Sequence, residues 1–195
     1  KHFRAAIIIL LISLPTYLIR FNVFGRASLP STILELSFGI IFLVWLIRFA
    51  RTDWPTLTTF FKTNRLLTVS LAFFFAASFI SIFTSDMWRA SLGQWRAYFL
   101  EPIIFFIIVI GRRIESRDVT VGLVLSMLPI ALVALLQKIS PIFYPPSLWD
   151  DQLFGRVTSF FTSPNDVGLY LAPLCPLAFY FVINKKTTEP WLWRS

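Results

Sequence analysis

The sequence predicts an all-α membrane protein, a polytopic bundle of about six transmembrane helices with an interfacial helix before span four. The first observation is composition: 56% of the 195 residues are hydrophobic and 14% are charged, whereas soluble domains carry roughly 25% charged residues. The second is a series of apolar runs that approach the 20 or so residues needed to cross a bilayer. The third is that charges cluster between these runs. Together they predict one transmembrane domain over residues 1–195, embedded in the lipid bilayer.

Several classes of function are excluded by composition. The net charge is +8, but the cations flank apolar runs instead of forming one patch, so no nucleic-acid partner is predicted. His2 is the sole histidine and Cys175 the sole cysteine, which leaves no histidine-based triad, metal site or internal disulfide in this chain. We therefore predict no metal and no cofactor, and we identify no catalytic residue.

The first three spans are predicted at about 5–21, 29–50 and 66–83. Span one follows a basic start and lacks a signal-peptide cleavage site. Span two begins near Pro30 and contains Glu35, which we place roughly 9 Å inside the helix at 1.5 Å per residue. A carboxylate at that depth needs a partner, and Arg20 and Arg26 are the candidates. This pairing either pins helices one and two together or contributes to substrate binding.

An interfacial helix is predicted over residues 85–99, ahead of span four at 97–111. Large apolar side chains recur there at helical spacing, namely Trp88, Leu92, Trp95 and Phe99. Arg89 and Arg96 share another flank, as in an amphipathic interfacial helix. The alternative is an ordinary aromatic belt with arginines that reach toward the headgroups. Glu101 lies near the same membrane face, where Arg96 or Arg156 could neutralise it.

Spans five and six are predicted at 119–137 and 166–183. Pro129 predicts a kink in span five, and span six contains Pro173 and Pro176. Between them lies the longest non-spanning segment, the outer-face loop 138–165, whose prolines and aromatic residues favour a path along the interface. The pair Asp150-Asp151 in this loop lacks further ligands, so we interpret it as solvated acids and not as a metal site.

The segment from Gly155 to Asn165 is a polar break that ends as a helix begins. Ser163 is a predicted N-cap, Pro164 suits the first helical position, and Asp166 stands where a capping-box acid would. On local features alone, a well-started helix is the favoured interpretation. The alternative is a phosphate site, since helix N-termini carry free N–H groups and Arg156 is close in sequence.

The distribution of cations predicts the orientation. With a cytoplasmic N-terminus, 12 of the 18 Lys and Arg residues fall on the inner side, so the positive-inside rule places both termini in the cytoplasm. The outer set is Arg20, Arg26, Arg89, Arg96, Lys138 and Arg156. With Glu35 and Glu101 at the same face, this predicts an outer pocket for an anionic lipid such as a polyprenyl diphosphate. No charge is predicted at mid-membrane, where a transport pathway would need one.

Three stretches resemble the first half of O-antigen ligases and the related O-antigen polymerases. They are 15–21 with Glu35 downstream, 95–102, and above all 156–165. Family members usually show an arginine, a glycine three residues later, a phenylalanine and a Pro-Asn pair before a helix. Arg156, Phe161, Pro164 and Asn165 match this pattern, whereas Ser159 and Thr162 replace the two usual glycines.

The resemblance implies a multi-pass glycosyltransferase of the bacterial inner (plasma) membrane. Such an enzyme moves a glycan from undecaprenyl diphosphate to a lipid or glycan acceptor, such as the lipid A core, or to a protein, at the outer face and without a metal. In the family a later outer loop supplies a catalytic histidine. Nothing here corresponds to that loop, so we expect the N-terminal part of a longer protein.

The resemblance also implies roles for the candidate residues. Arg156 would hold the donor diphosphate, and Asn165 would be a hydrogen-bond donor or a turn residue beside it. Arg96 and Arg89 are further candidates for the same anion. The supporting residues are Glu35, Glu101 and Arg20, of which the two carboxylates would orient the arginines.

Two other classes of function remain open on the sequence alone. Six helices with kinking prolines are also typical of half of a transporter or lipid flippase. A structural membrane subunit without a ligand is the third possibility. A large outer loop with histidine and arginine downstream would favour the transferase, whereas a second set of six spans would favour transport.

Overall fold

The computed structural model describes residues 2–22, 30–140 and 156–183. Apart from one pair of three-residue strands, the regular structure of these residues is helical, which confirms the all-helical prediction. The helices are α1 (His2–Ile12), α2 (Ile33–Arg48), α3 (Ala50–Thr63), α4 (Arg65–Ile80), α5 (Trp88–Trp95), α6 (Glu101–Gly111), α7 (Ser116–Ile139), α8 (Pro164–Leu171) and α9 (Cys175–Ile183).

Three helical segments in the described part of the chain are long and apolar enough to cross a membrane. They are Arg65–Thr84, Trp88–Gly111 and Ser116–Ile139, and they coincide with predicted spans three, four and five. A fourth candidate arises if α2 and α3, which are bent by 92° at their junction, form one crossing. The structure therefore supports a membrane protein with three or four candidate spans, and it does not confirm six.

The first predicted span is shorter than expected. Helix α1 ends at Ile12, and a 3₁₀ turn at Leu14–Leu18 follows in place of a helix through residue 21. Pro15 explains the ending, because it has no N–H to give to the carbonyl of Leu11 and its ring would clash with that carbonyl. The hydroxyl of Ser13 donates to the carbonyl of Leu10 over 2.8 Å and so satisfies one of the last helical acceptors.

The chain returns from the first to the second helix through a short strand pair that was not predicted. Strand β1 (Arg20–Asn22) pairs antiparallel with β2 (Pro30–Thr32), with Phe21 opposite Ser31. As a result α2 starts at Ile33, later than the predicted start of span two near Pro30. The predicted spans 5–21 and 29–50 both lose residues to this pair.

The predicted interfacial helix and the predicted span four form one helical segment, and the interfacial position of its first half stays a prediction. Helix α5 continues through a π-helical turn at Arg96–Leu100 into α6, so that Trp88–Gly111 is one helical segment. In the π turn the N–H of Glu101 donates to the carbonyl of Arg96, five residues back. This wider turn gives room to Pro102, whose ring would clash with a carbonyl four residues back in a regular α-helix.

The predicted sixth span is interrupted, which is a second correction. Helix α8 ends at Leu171 and α9 begins at Cys175, so 166–183 is not one helix. The N–H of Leu174 bonds to the carbonyl of Leu171 over 3.0 Å, a tighter turn than the α-helical one. Pro173 and Pro176 are the cause, because each lacks an N–H and excludes the α-helical partner carbonyl four residues earlier.

The structure divides into two compact units. The first unit comprises residues 1–38 and 116–195, and the second comprises 39–115. In the first unit α1 packs against α7, where the guanidinium of Arg4 binds both carboxylate oxygens of the buried Asp118. Gly122 of α7 lies directly under α1: a Cβ atom there would come within 2.7 Å of the Cβ of Leu11. The backbones of α1 and α7 are therefore in close contact at Gly122.

In the second unit α3 packs against the end of α6. Asp53 of α3 is buried and accepts hydrogen bonds from the indole N–H of Trp45, at 2.9 Å, and from Arg112, at 3.1 Å. The guanidinium of Arg112 also stands 4.1 Å from the centre of the Phe49 ring. This buried carboxylate, with both oxygens hydrogen-bonded, connects the bend between α2 and α3 to the C-terminal end of α6.

Candidate functional site

The loop from Arg156 to Ser163 is held on α7 by the side chain of Gln137. Its amide oxygen accepts the N–H groups of Thr158, at 3.0 Å, and Ser159, at 2.7 Å. Its amide nitrogen donates to the carbonyl of Ser159 over 3.0 Å. Gln137 is only 2% exposed, so these bonds satisfy buried backbone groups that would otherwise lose hydration. No motif or periodicity in the sequence points to Gln137.

Ser159 adopts a backbone conformation that is uncommon for a residue with a side chain. Its φ is 52°, in the left-handed region. The hydroxyl of Ser159 donates to the carbonyl of Ile130 over 2.8 Å, and the residue is buried. Hydrogen bonds to α7 through both backbone and side chain therefore hold the turn in this conformation.

Phe161 anchors the next part of the loop. It is buried in a cluster with Ile130 of α7 and Val167 of α8. Its ring centre lies 6.4 Å from that of Tyr17 and 6.0 Å from that of Tyr170, distances typical of interacting aromatic pairs. The phenylalanine of the predicted motif therefore fixes the loop against the beginning of α8.

Ser163 caps helix α8, as predicted. Its hydroxyl oxygen accepts the N–H of Asn165 over 3.3 Å, and its own backbone is extended with φ −127° and ψ 139°. Pro164 occupies the first turn, where its missing N–H costs no helical bond. The capped first turn of α8 brings Asn165 close to Arg156.

Arg156 and Asn165, the two principal predicted site residues, are in contact. The Nη2 atom of Arg156 donates to the Oδ1 atom of Asn165 over 3.0 Å, and both side chains are exposed. A guanidinium has five N–H donors, so the hydrogen bond to Asn165 orients the group and leaves other N–H donors for an anion. This hydrogen bond thus joins the start of the loop to the first turn of α8 and orients an exposed cation.

Arg89 and Arg96, the two further arginines predicted to bind the anion, lie in the second unit. The Nε atom of Arg96 is 3.3 Å from the Oε1 atom of Glu101, which confirms one of the two partners predicted for this carboxylate. The guanidinium of Arg89 stands 5.4 Å from the ring centre of its neighbour Trp88. Convergence of these arginines with Arg156 on one pocket stays a prediction.

Glu35 belongs to a capping box at the start of α2. Its Oε2 atom accepts the N–H of Thr32, and its own N–H donates to the hydroxyl of Thr32, each over 3.1 Å. It therefore lies in the first turn and not 9 Å inside the helix, which corrects the predicted depth. Pairing with Arg20 or Arg26 stays a prediction, because the side chain of Arg20 and all of Arg26 lie outside the described residues. The Thr-x-x-Glu pattern was the signal available in the sequence.

Helix α8 is also tied to α7 by a polar contact inside the first unit. The hydroxyl groups of Ser126 and Tyr170 are 2.7 Å apart, and Ser126 is fully buried. Together with Gln137 and Ser159, this bond means that the loop and the helix after it rest on the same face of α7. Arg156 therefore lies at the start of a loop that is hydrogen-bonded to α7.

Two further predictions concern metals and the outer loop. Within residues 2–22, 30–140 and 156–183, no group of three or more His, Cys, Asp or Glu side chains could hold a metal ion. Asp150 and Asp151 lie outside these ranges, as do residues 141–155 of the predicted loop 138–165. Its described ends, the end of α7 and the Arg156 loop, form the site above.

Chemically, the site offers an oriented arginine beside the capped start of a helix. Guanidinium groups bind phosphate through paired hydrogen bonds. The arrangement is therefore suited to an anionic ligand of the phosphate class. No protein-family model, curated protein or solved structure matches this chain.

Proposed function

We propose that this chain is part of a membrane glycosyltransferase of the O-antigen ligase and polymerase type, in which Arg156 binds the diphosphate of a polyprenyl-linked glycan donor. One observation carries the proposal: Arg156 and Asn165 meet at 3.0 Å across a loop whose Ser159 has φ 52°. Glycine is the residue that this family usually has at the position of Ser159, and glycine adopts positive φ without steric cost. The positive φ of Ser159 is thus the conformation that the usual glycine of the family motif would favour, although this chain has serine at that position.

The proposed role of Arg156 is electrostatic. Its guanidinium binds the diphosphate and neutralises the charge that develops on the carrier as the glycan leaves. Asn165 holds the guanidinium through its amide oxygen, and Gln137 holds the loop. Arg89 and Arg96 are further candidates for donor contacts, with Glu101 orienting Arg96. None of these residues is proposed as catalytic.

The proposal requires a particular topology. We propose six passes through a bacterial inner membrane with both termini in the cytoplasm, so that the Arg156 loop faces outward, where the donor and a lipid or glycan acceptor are available. The distribution of cations in the sequence supports this orientation. In this arrangement α1 crosses the membrane with a break at Pro15, and α8 and α9 together form one crossing with a break at Pro173. Such breaks are tolerated in a membrane where the non-helical backbone is buried in protein or lines a water-filled cavity.

Half of a transporter or lipid flippase is the second candidate. The break between α8 and α9 supports it, because discontinuous helices form the substrate sites of many transporters. In those proteins the site lies near mid-membrane, whereas Arg156 precedes α8 at a loop. The same ligand class, a polyprenyl diphosphate, would suit both candidates.

Replacement of Arg156 tests the transferase. In full-length protein expressed in cells that lack the native copy, R156A should lower glycan transfer roughly 100-fold or more, the scale of removing one preorganised charge-stabilising donor. R156K should restore part of the activity, since it keeps the charge but loses the paired hydrogen bonds. The readout is the amount of acceptor carrying the glycan, with the level of membrane-inserted protein measured in parallel.

Arg51 provides a matched control, because it is an exposed arginine of α3 outside the proposed site. R51A should transfer glycan normally. Normal transfer by R156A would remove Arg156 from the mechanism. The fate of the donor separates the candidates: loss of transfer leaves lipid-linked glycan at the outer face, whereas loss of a flippase leaves it at the inner face.

A further inference from the structure

Helix α3 carries an apolar groove with a cation at its rim. The groove has a volume of about 420 Å³ and is lined by Trp54, Leu57, Thr58, Phe61, Lys62 and Ile107. All but the last belong to α3, and their spacing of three, four, seven and eight residues places them on one helical face. Ile107 belongs to α6, so the groove follows the contact between the two helices.

The position of α3 in the second unit indicates an interfacial helix. It connects the end of α2, from which it bends by 92°, to the start of α4. It packs on the last turns of α6, since Asp53 meets Gly111 and the ring centre of Phe60 lies 6.0 Å from that of Phe106. Where α4 and α6 cross the bilayer, a helix at these ends lies at the membrane surface.

The composition of α3 supports the same placement. It combines Trp54 and Phe61 with several threonines and with Arg51 and Lys62, which are exposed. Aromatic residues and cations on one short helix are typical of segments that lie in the headgroup region. Crossing the hydrocarbon core with these groups would be costly. The groove therefore opens where acyl chains and headgroups meet.

We propose that this groove binds one anionic phospholipid, with an acyl chain against Trp54, Leu57, Phe61 and Ile107 and the headgroup phosphate on Lys62. Charge complementarity favours this ligand over a zwitterionic lipid. Lys62 at the rim is exposed, and no carboxylate lines the groove. Arg113, which follows the end of α6, has its Nη2 atom 3.4 Å from the hydroxyl of Thr56 of α3 and adds positive potential near this helix. By the predicted orientation this is the cytoplasmic face, whose lipids are rich in anionic headgroups.

The test measures lipids retained by the full chain in detergent, by native mass spectrometry with added phosphatidylglycerol or phosphatidylcholine. We expect phosphatidylglycerol to be retained more strongly. K62Q should lower its retention roughly five-fold, the effect of one cation at a membrane surface. R51Q removes an equal charge from the same helix outside the groove and should change retention little. Equal retention of the two lipids, or an equal effect of K62Q and R51Q, would overturn the proposal.

A second pair of variants tests the acyl-chain part of the groove. Thr58 lines the groove and Thr59 does not, yet both hydroxyls donate to the carbonyl of Pro55, at 3.0 and 2.8 Å. T58F should fill the groove and reduce phosphatidylglycerol retention several-fold, whereas T59F should retain it. Soluble glycerol phosphate should bind neither variant nor the parent detectably. Retention by T58F equal to that of T59F, or strong binding of glycerol phosphate, would contradict a lipid site.

Discussion

At the scale of single residues, the Arg156 loop depends on one amide side chain. Gln137 offers an acceptor to the backbone N–H groups of Thr158 and Ser159 and a donor to the carbonyl of Ser159. An apolar residue of the same size would pack in its place but would satisfy none of these groups. The loop conformation, including φ 52° at Ser159, therefore depends on the polar atoms of Gln137 and not on its volume.

We predict that Q137L destabilises the protein and lowers donor binding. Each buried backbone group left without a partner costs roughly 1–3 kcal/mol, so the free energy of unfolding should fall by about 3 kcal/mol or more. Thermal unfolding in detergent measures this loss. In the proposed transferase, Q137L should also reduce glycan transfer beyond its effect on protein level, because Arg156 is no longer held.

Gln94 is the matched control, since it is an exposed glutamine in the helix α5. Q94L removes the same amide and should leave both thermal stability and transfer close to those of the parent. If Q137L unfolds at the parent temperature, the hydrogen bonds of Gln137 do not support the loop.

Sequence patterns at this scale reveal some residues and not others. Arg156 and Asn165 were predictable because a recognisable turn motif brings them together. Gln137 was not, because one amide at the end of an apolar run has no periodicity and no motif of its own. The depth predicted for Glu35 was wrong, because Thr32 and Glu35 form a capping box at the start of α2.

At the scale of elements, proline had different effects at different positions. Helix α7 runs through Pro129 without ending, and α3 contains Pro55 in its first turns. Pro15 ends α1, and Pro173 and Pro176 separate α8 from α9. The sequence alone does not distinguish these cases, because the outcome depends on whether neighbouring groups satisfy the freed carbonyl. This is why the helical segments at predicted spans three to five are long enough to be candidate crossings, whereas the helices at predicted spans one and six are shorter than expected.

The contact between α1 and α7 gives a prediction for the element scale. A Cβ atom at Gly122 would lie 2.7 Å from the Cβ of Leu11 and 3.3 Å from the carbonyl oxygen of Ile8. The methyl group of G122A should push α1 and α7 apart, because the atoms that it meets lie close to the backbone of α1 and cannot move away freely. We expect a loss of stability of about 1–3 kcal/mol, the usual effect of overpacking. The measurement is the thermal unfolding midpoint in detergent.

Gly93 in α5 is the control glycine, because a Cβ atom there would meet nothing within 4 Å. G93A should keep or raise the midpoint, since alanine is favoured over glycine in a helix by about 1 kcal/mol. Equal destabilisation by G93A and G122A would show that the contact with Leu11 is not the cause.

At the scale of the whole molecule, the exposed surface indicates the surrounding solvent. Helix α4 has no buried residue, and large apolar side chains on it are open, with Leu66 at 83% and Phe73 at 74% exposure. Such a surface is incompatible with water unless another apolar phase covers it. A bilayer provides that phase. The composition of the sequence was sufficient to predict a membrane protein. It was not sufficient to predict the number of crossings, because a bent helix pair such as α2 and α3 can form one broken span or a re-entrant loop.

Accessibility from the two sides of the membrane decides the topology on which the proposed function depends. With Cys175 replaced by serine, a single cysteine at Phe160, which is 52% exposed, should react with an impermeant maleimide added to intact cells whose outer membrane is permeabilised. A cysteine at Thr59, exposed on α3, should react only in inverted vesicles, because positive-inside orientation and an interfacial α3 place it at the inner surface. Reaction of the cysteine at 160 only in inverted vesicles would reverse the orientation and separate Arg156 from any donor presented outside. Reaction of the cysteine at 59 from neither side would place α3 within the bilayer, where α2 and α3 form one bent crossing.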